Sequence, residues 1–583
     1  MDNIVGTAGN DTFIAGSQAT NATLNAGDTI SGGAGNDTLK IFNDAAVSTA
    51  NFGTATISGV ENVEATLAAS AQTLNVSGNA DVTKVSLVNG FDGVVTAKLA
   101  QTAGLSGTID TTGAAAAFTF IDNTGAADTA NLSLSNAALM NAAGVGLGVA
   151  IAGVETLNIA ATGTNVLGDL DIAATSKLVI TGAGSLSATL NNVAGLTKTI
   201  DGSAATGNLV INNAAAVAAV QSIKTGSGND VYTTVYAHLT ADDAIDLGTG
   251  TDSLRFSDNA TFNDAATKAR LTKVVGVEQL GVTAAAATLT VDGDFVSQTS
   301  YYVSGAASKA VLTNVANNAD ITFGKTDVAA NVTGVNTIGM KLGANTLNVN
   351  LAGSATGASV VGGVVATAGD GFAVTGSATI NVKSTGTSGQ PNNILDLTAA
   401  DNQSVIVTGS QNLTLVTKAA TGTTGFSIDG SGFTGRLTVT GTAATDIVKG
   451  GSGNDTISGG AGAAVSDTLT GGAGADKFII IAGATAATAD IVTDFVTKSD
   501  TLSFSGAAAT STTYTEATAA VADFTAALAA ANIALDATVL YNAQQVGSDV
   551  WVFADTGATG SATQVVKLTG VTLAGIEFAD IVA

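Results

Sequence analysis

The 583-residue sequence has no cysteine, one proline and one histidine. Lack of cysteine excludes disulfides, thiolate metal sites and a lipid-modified cysteine anchor. The lone His238 cannot form a His-Glu-x-x-His zinc helix or any histidine-rich metal site within one chain. With one proline against 71 glycines, turns must be made by Gly, Asn and Asp. Aromatic residues are 4% of a chain that is 45% hydrophobic, so its buried layers must be thin and built from small side chains. Thin layers suit extended, repetitive β architecture better than one large globular core.

Basic residues are scarce too: 20 Lys and Arg face 46 Asp and Glu, giving a net charge of −26. Such a balance argues against nucleic-acid binding, which needs a basic footprint. Only six of the acids are glutamate (Glu61, Glu64, Glu155, Glu278, Glu516 and Glu577), leaving 40 aspartates. Short carboxylates concentrated in turns can meet a hard cation with oxygen. The opening Met1-Asp2-Asn3-Ile4 lacks the basic and apolar regions of a cleavable secretion signal. The most apolar stretch, residues 142–154, is interrupted by glycine and shorter than the roughly 20 residues a membrane-spanning helix needs. These features predict a soluble chain with no transmembrane segment, exported by a route other than a cleaved leader.

What the chain does have is one turn grammar in three regions. Near the start, Gly6 to Asp11 and Gly27-Asp28 precede the clean copy Gly32-Gly33-Ala34-Gly35-Asn36-Asp37-Thr38-Leu39. In mid-chain, Gly226-Ser227-Gly228-Asn229-Asp230 precedes Gly248-Thr249-Gly250-Thr251-Asp252, with Asp242, Asp243 and Asp246 between them. The densest block holds Asp446, then Gly450-Gly451-Ser452-Gly453-Asn454-Asp455, an expanded turn to Asp467, and Gly471-Gly472-Ala473-Gly474-Ala475-Asp476. A second repeat, Gly-Val-Glu followed by an apolar residue, occurs at 59–61, 153–155 and 276–278, with relaxed copies at Gly334-Val335-Asn336 and Gly575-Ile576-Glu577. Its carboxylates have two readings, calcium ligands or solvent-facing strand starts, and they are left outside the site. Between the turns lie short alternating runs such as 346–351 and 404–408, which read as strands. Ala-rich stretches at 516–531 and 265–272 predict short helices.

Glycine lets the backbone curl and aim carbonyls inward, the aspartate adds a charged oxygen, and the next apolar residue packs inside. All-oxygen donors without His or Cys favour Ca²⁺. Each turn supplies only part of a coordination sphere, so an ion must be shared between stacked turns. The metal residues expected on this logic are Asp11, Asp28, Gly33, Gly35 and Asp37 early, Asp230, Asp246 and Asp252 in mid-chain, and Asp446, Gly451, Gly453, Asp455, Asp467, Gly472, Gly474 and Asp476 late. For isolated copies, metal-free hairpin turns are the competing explanation.

These turns resemble the repeats-in-toxin (RTX) nonapeptides of type I secreted bacterial proteins, which form calcium-filled parallel β-rolls. Residues 490–495 and 500–504 resemble the strands that close such rolls, which adds Asp490 and Asp500 to the expected set. Residues 549–555 and 566–571 resemble the family's C-terminal secretion domain. The Thr- and Ala-rich body resembles RTX-containing surface-layer (S-layer) proteins. The resemblance implies a type I exporter, self-association into a calcium-dependent lattice, and lipopolysaccharide as anchor. The expected fold is all-β, an elongated multidomain chain of β-roll, β-helix-like and β-sandwich-like units with few short helices. Its expected segments are a calcium-binding entry at 1–65, a body at 66–220, a calcium joint at 221–290, a second body at 291–440, a β-roll at 441–505 and a secretion domain at 506–583. Catalysis is not expected: no G-x-S-x-G elbow is present, and the aromatic and charged clefts of carbohydrate-cleaving β-helices have little to be built from. A calcium-stiffened filament or matrix adhesin would share these features, and a secreted RTX enzyme is the remaining alternative.

Overall fold

The computed structural model describes residues 1–17, 22–43, 55–67, 72–89, 93–110, 116–140, 148–172, 174–191, 198–214, 219–305, 307–324, 336–353, 360–361, 371–387, 391–400, 402–419, 424–462, 465–481 and 483–583. Of the sequence features above, Gly334 and Val335, residues 142–147 and residues 463–464 lie outside them. The chain is all-β with two short α-helices among the described residues, and it divides into two compact units. One unit comprises Met1–Asp258 with Ala265–Leu280, the other Asn259–Asp264 with Gly281–Ala583. Each is a β-solenoid, so of the architectures the sequence allowed, the body segments take the β-helix-like one.

The solenoid follows from the alternation in the strands. In Thr38–Asn43 the side chains of Leu39 and Ile41 are buried while Lys40 faces outward. The following strands pair parallel and in register, so inward residues stack like upon like from coil to coil. In the first unit one such column runs Leu39, Val63, Val85, Ala103, Leu132, Ile159 and Ile180, each at most 1% exposed. In the second unit a column runs from Ala319 through Leu347, Ile380, Val405, Ile428, Val448 and Leu469 to Val492, again at most 1% exposed. Each buried Val, Leu or Ile contributes about 1.5–3 kcal/mol by leaving water. This core of Ala, Val, Ile and Leu is the thin layer that the low aromatic content requires.

The second unit ends in a cap. Gln564–Leu568 pairs parallel with Asp490–Val492 and antiparallel with Asp549–Ala554, which pairs antiparallel with Tyr541–Val546. On the other sheet Ile581–Val582 pairs with Thr501–Ser503. The last strand of the roll on each sheet is therefore paired by a strand of the cap. Helix Phe524–Ala534 packs its Ala527 and Ala531 against Phe553 and Val565. It starts later than the predicted 516–531 because Asp523 is the residue that caps it, accepting from the Ala526 N–H at 2.9 Å, whereas Tyr514–Glu516 is a strand. Trp551, the chain's single tryptophan, lies with its ring centroid 4.7 Å from that of Phe524. His238 sits in a 3₁₀ turn, Tyr236–His238.

Candidate metal centre

The late turns stack so closely that a side chain at their glycines has no room. A Cβ on Gly472 would stand 2.2 Å from the Gly451 carbonyl oxygen, and one on Gly474 would stand 2.2 Å from that of Gly453. Both have left-handed φ, 99° and 128°, as do Gly33 and Gly35 at 103° and 126°. Gly451 and Gly453 are required by close approach alone, since a Cβ on them would meet the carbonyls of Phe433 and Gly435 at 2.2 and 2.4 Å.

The aspartates form ladders along the coil axis. Each Oδ1 accepts the N–H of the equivalent residue one coil earlier. On one sheet of the late block, Asp446 Oδ1 accepts from Phe426, Asp467 from Asp446 at 2.8 Å, and Asp490 from Asp467 at 3.1 Å. On the other sheet, Asp455 accepts from Leu437 and Asp476 from Asp455, both at 2.7 Å, and Asp500 accepts from Asp476 at 3.0 Å. The expanded turn thus leaves Asp467 in line. In mid-chain, Asp230 accepts from Leu209 and Asp252 from Asp230, both at 2.7 Å. In the early region Asp37 accepts from Asp11 at 2.7 Å, and Asp28 from Asp2 at 2.8 Å. The asparagine preceding many of these aspartates works in the opposite direction. Asn10 Oδ1 accepts from the Asn36 N–H at 2.9 Å, and Asn454 Oδ1 from that of Ala475 at 3.0 Å.

Two features escaped sequence reasoning. The Asp246 carboxylate lies outside the ladders, accepting the Gly248 N–H of its own turn at 3.2 Å, whereas Asp243 is buried and accepts from Gln221 one coil earlier at 2.7 Å. The glutamates of the Gly-Val-Glu turns also take ladder positions. Glu61 Oε2 accepts from Asp37 at 2.7 Å, Glu155 from Asp128 at 2.8 Å and Glu278 from Asp252 at 2.8 Å. The available signal was spacing: these glutamates follow an aspartate by 24, 27 and 26 residues, about one coil.

Stacking carboxylates out of water disfavours their charge. Burial raises Asp467 and Asp476 to about 6 and Asp490 to about 7, with the neighbouring ladder carboxylates adding to it. Burial likewise raises Asp446, Asp455 and Asp500, and Asp252 to about 6, where Asp230 and Glu278 contribute. Asp28 moves the other way, lowered by the Asp2 and Asn25 N–H groups that donate to it.

Oxygens converge at the first glycine of each turn. Around the position of a Gly450 Cβ lie the Gly471 carbonyl oxygen at 2.2 Å and Asp455 Oδ2 at 2.5 Å. Around that of Gly441 lie the Gly459 carbonyl oxygen at 2.3 Å and Asp446 Oδ2 at 2.9 Å. Among the described residues no three Asp, Glu or His side chains gather to hold an ion, so backbone carbonyls must supply much of any coordination sphere. Buried Oδ2 atoms of Asp37, Asp230 and Asp252 have no hydrogen-bond donor. Carbonyl and carboxylate oxygens packed together, some of them without a donor, fit a hard cation with flexible oxygen coordination, the chemistry of Ca²⁺.

Comparison with protein-family models matches the RTX calcium-binding nonapeptide repeat, in four copies, over residues 1–19, 24–40 and 440–478. No curated protein matches the chain. The chain therefore carries RTX calcium-binding repeats on a β-solenoid, at its beginning and in its late block.

Proposed function

We propose that this is a secreted structural protein that binds calcium through stacked aspartate turns and assembles with copies of itself into a surface layer on a Gram-negative cell. The observation that carries the reading is the pair of buried ladders, Asp446–Asp467–Asp490 and Asp455–Asp476–Asp500, which stack like charges coil upon coil. In low calcium that repulsion opposes closure of the roll and keeps the chain export-competent. Bound Ca²⁺ supplies the compensating charge, so ion binding becomes folding free energy. The ladder aspartates and the carbonyls of Gly459 and Gly471 would hold the ions. The glycines keep successive turns near enough to share them, and the buried aliphatic columns set the register.

Export by a type I transporter, anchoring to lipopolysaccharide and a non-catalytic role complete the proposal. They draw on the resemblance to RTX surface-layer proteins and on the helix-bearing cap after the roll. No helix among the described residues is long and apolar enough to cross a membrane. Negative-stain imaging of the full chain tests the assembly. Two-dimensional sheets in millimolar calcium that disperse with chelator are expected. Particles that stay dispersed in calcium would overturn the lattice, and fibres would replace it with a filament.

A further inference from the structure

The Asp11–Asp37 and Asp230–Asp252 ladders each run on to a Gly-Val-Glu turn, whereas the late ladders end on the cap. At the early end, the Gly59 carbonyl oxygen and Asp37 Oδ2 lie 1.7 and 2.4 Å from the point where a Gly32 Cβ would stand. This is the arrangement that Gly471 and Asp455 make around Gly450, with the Gly-Val-Glu glycine in place of a calcium-turn glycine. The environments differ in one respect. Asp455 Oδ2 accepts the Gly451 N–H at 2.6 Å, while Asp37 is 0% exposed and its Oδ2 has no donor. Asp252, 1% exposed, also has an Oδ2 without a donor. The other oxygen of each aspartate is engaged, and the main-chain N–H of each donates to a glutamate, Glu61 or Glu278.

From this we infer that the Gly-Val-Glu turns at 59–61 and 276–278 are shortened calcium turns that close their stacks, each completing a divalent-cation site with the preceding aspartate. One site comprises Asp37, the Gly59 carbonyl and Glu61; the other contains Asp252 and Glu278. The shorter turn accounts for the change of residue. Gly32 precedes Asp37 by five residues but Gly59 precedes Glu61 by only two, and the extra methylene of glutamate spans the gap. A buried carboxylate oxygen without a donor is costly unless a cation meets it. The third copy supplies a contrast, because Asp128 Oδ2 already accepts the Gly125 N–H at 2.8 Å. Glu155 therefore continues the ladder without holding an ion.

The inference rests on the calcium reading above, and its test separates the two. Calcium is titrated by calorimetry into the full native chain and into Glu61→Gln, Glu278→Gln and Glu155→Gln, with Tb³⁺ luminescence as a second probe. Glutamine keeps the carbonyl oxygen that accepts the aspartate N–H, so thermal melts in chelator should stay close to native. Glu61→Gln and Glu278→Gln should each lose one bound ion or weaken one site at least tenfold, and Glu155→Gln should bind as native does. Native stoichiometry and affinity in both Glu61→Gln and Glu278→Gln would overturn the inference while leaving the late roll's calcium intact. A native chain that binds no calcium would overturn the calcium reading and this inference with it.

Discussion

The late roll and the early turns share a motif and differ in how their carboxylates are balanced. In the late roll, Asp467, Asp476 and Asp490 are held above the ordinary range by burial and by neighbouring carboxylates. At the start of the chain, Asp28 accepts two backbone N–H groups and sits 3.7 Å from the terminal ammonium, and it is held below that range. The same Gly-Asp grammar thus yields carboxylates that need a cation in the late roll and, at Asp28, a charge already satisfied by its own donors. What differs is the neighbours a coil receives from the coils before and after it.

The sharpest way to break this comparison is to withhold calcium. At a calcium concentration 100 times the dissociation constant, each site adds about 2.7 kcal/mol to folding stability. Several sites in the late roll should make its melting strongly calcium-dependent, and calorimetry that finds no shift would remove the distinction between the regions. Next in size is the cap. Phe553→Ala, which empties part of the cluster under helix Phe524–Ala534, should cost about 3–5 kcal/mol. Limited proteolysis should then cut the second unit after residue 490 first, even in calcium.

Acidity should move the two regions in opposite directions. The late aspartates bind more protons folded than unfolded, so in chelator their roll is most stable below about pH 4 and loses that stability as pH rises through 6 to 7. Asp28 contributes stability above its unfolded pKa of 3.8 that is lost as pH falls through its lower folded value. Hydrogen exchange in chelator would resolve both, the late roll between about pH 7.5 and 4 and the Asp28 turn between about pH 4 and 2, and a roll that loosens over the first interval or an Asp28 turn that tightens over the second would contradict the assigned environments. The smallest expected contrast lies in mid-chain. Asp243→Ala should cost about 1–3 kcal/mol by leaving the Gln221 N–H unpaired, whereas Asp246→Ala should stay within about 0.5 kcal/mol.

The all-β class and the calcium turns could be read locally, because glycine spacing and alternation are local properties. Leu39 and Ile41 declare their inward face in a stretch of six residues. Ladder membership is not local. Asp243 and Asp246 look equivalent along the sequence, and only the coil length beneath them decides that Asp243 faces Gln221. The two readings of the glutamates stayed open for the same reason, since Glu61 reaches Asp37 across 24 residues whose number varies from coil to coil. In the body, alternating runs fit sandwich and solenoid equally, and the choice came from in-register parallel pairing that no single strand encodes.

The aspartates bind their neighbours in two directions at once. Every Oδ1 in the late ladders serves the coil before it. The main-chain carbonyls of the same residues serve the coil after, as Asp446 does for Thr468, Asp455 for Lys477 and Asp476 for Thr501, and Asn454 adds its side-chain oxygen for Ala475. A coil lost from the middle of the roll would therefore strand donors on the coil before it and on the coil after it. Each turn is a rivet with two heads, and the roll gives way as a stack rather than one coil at a time.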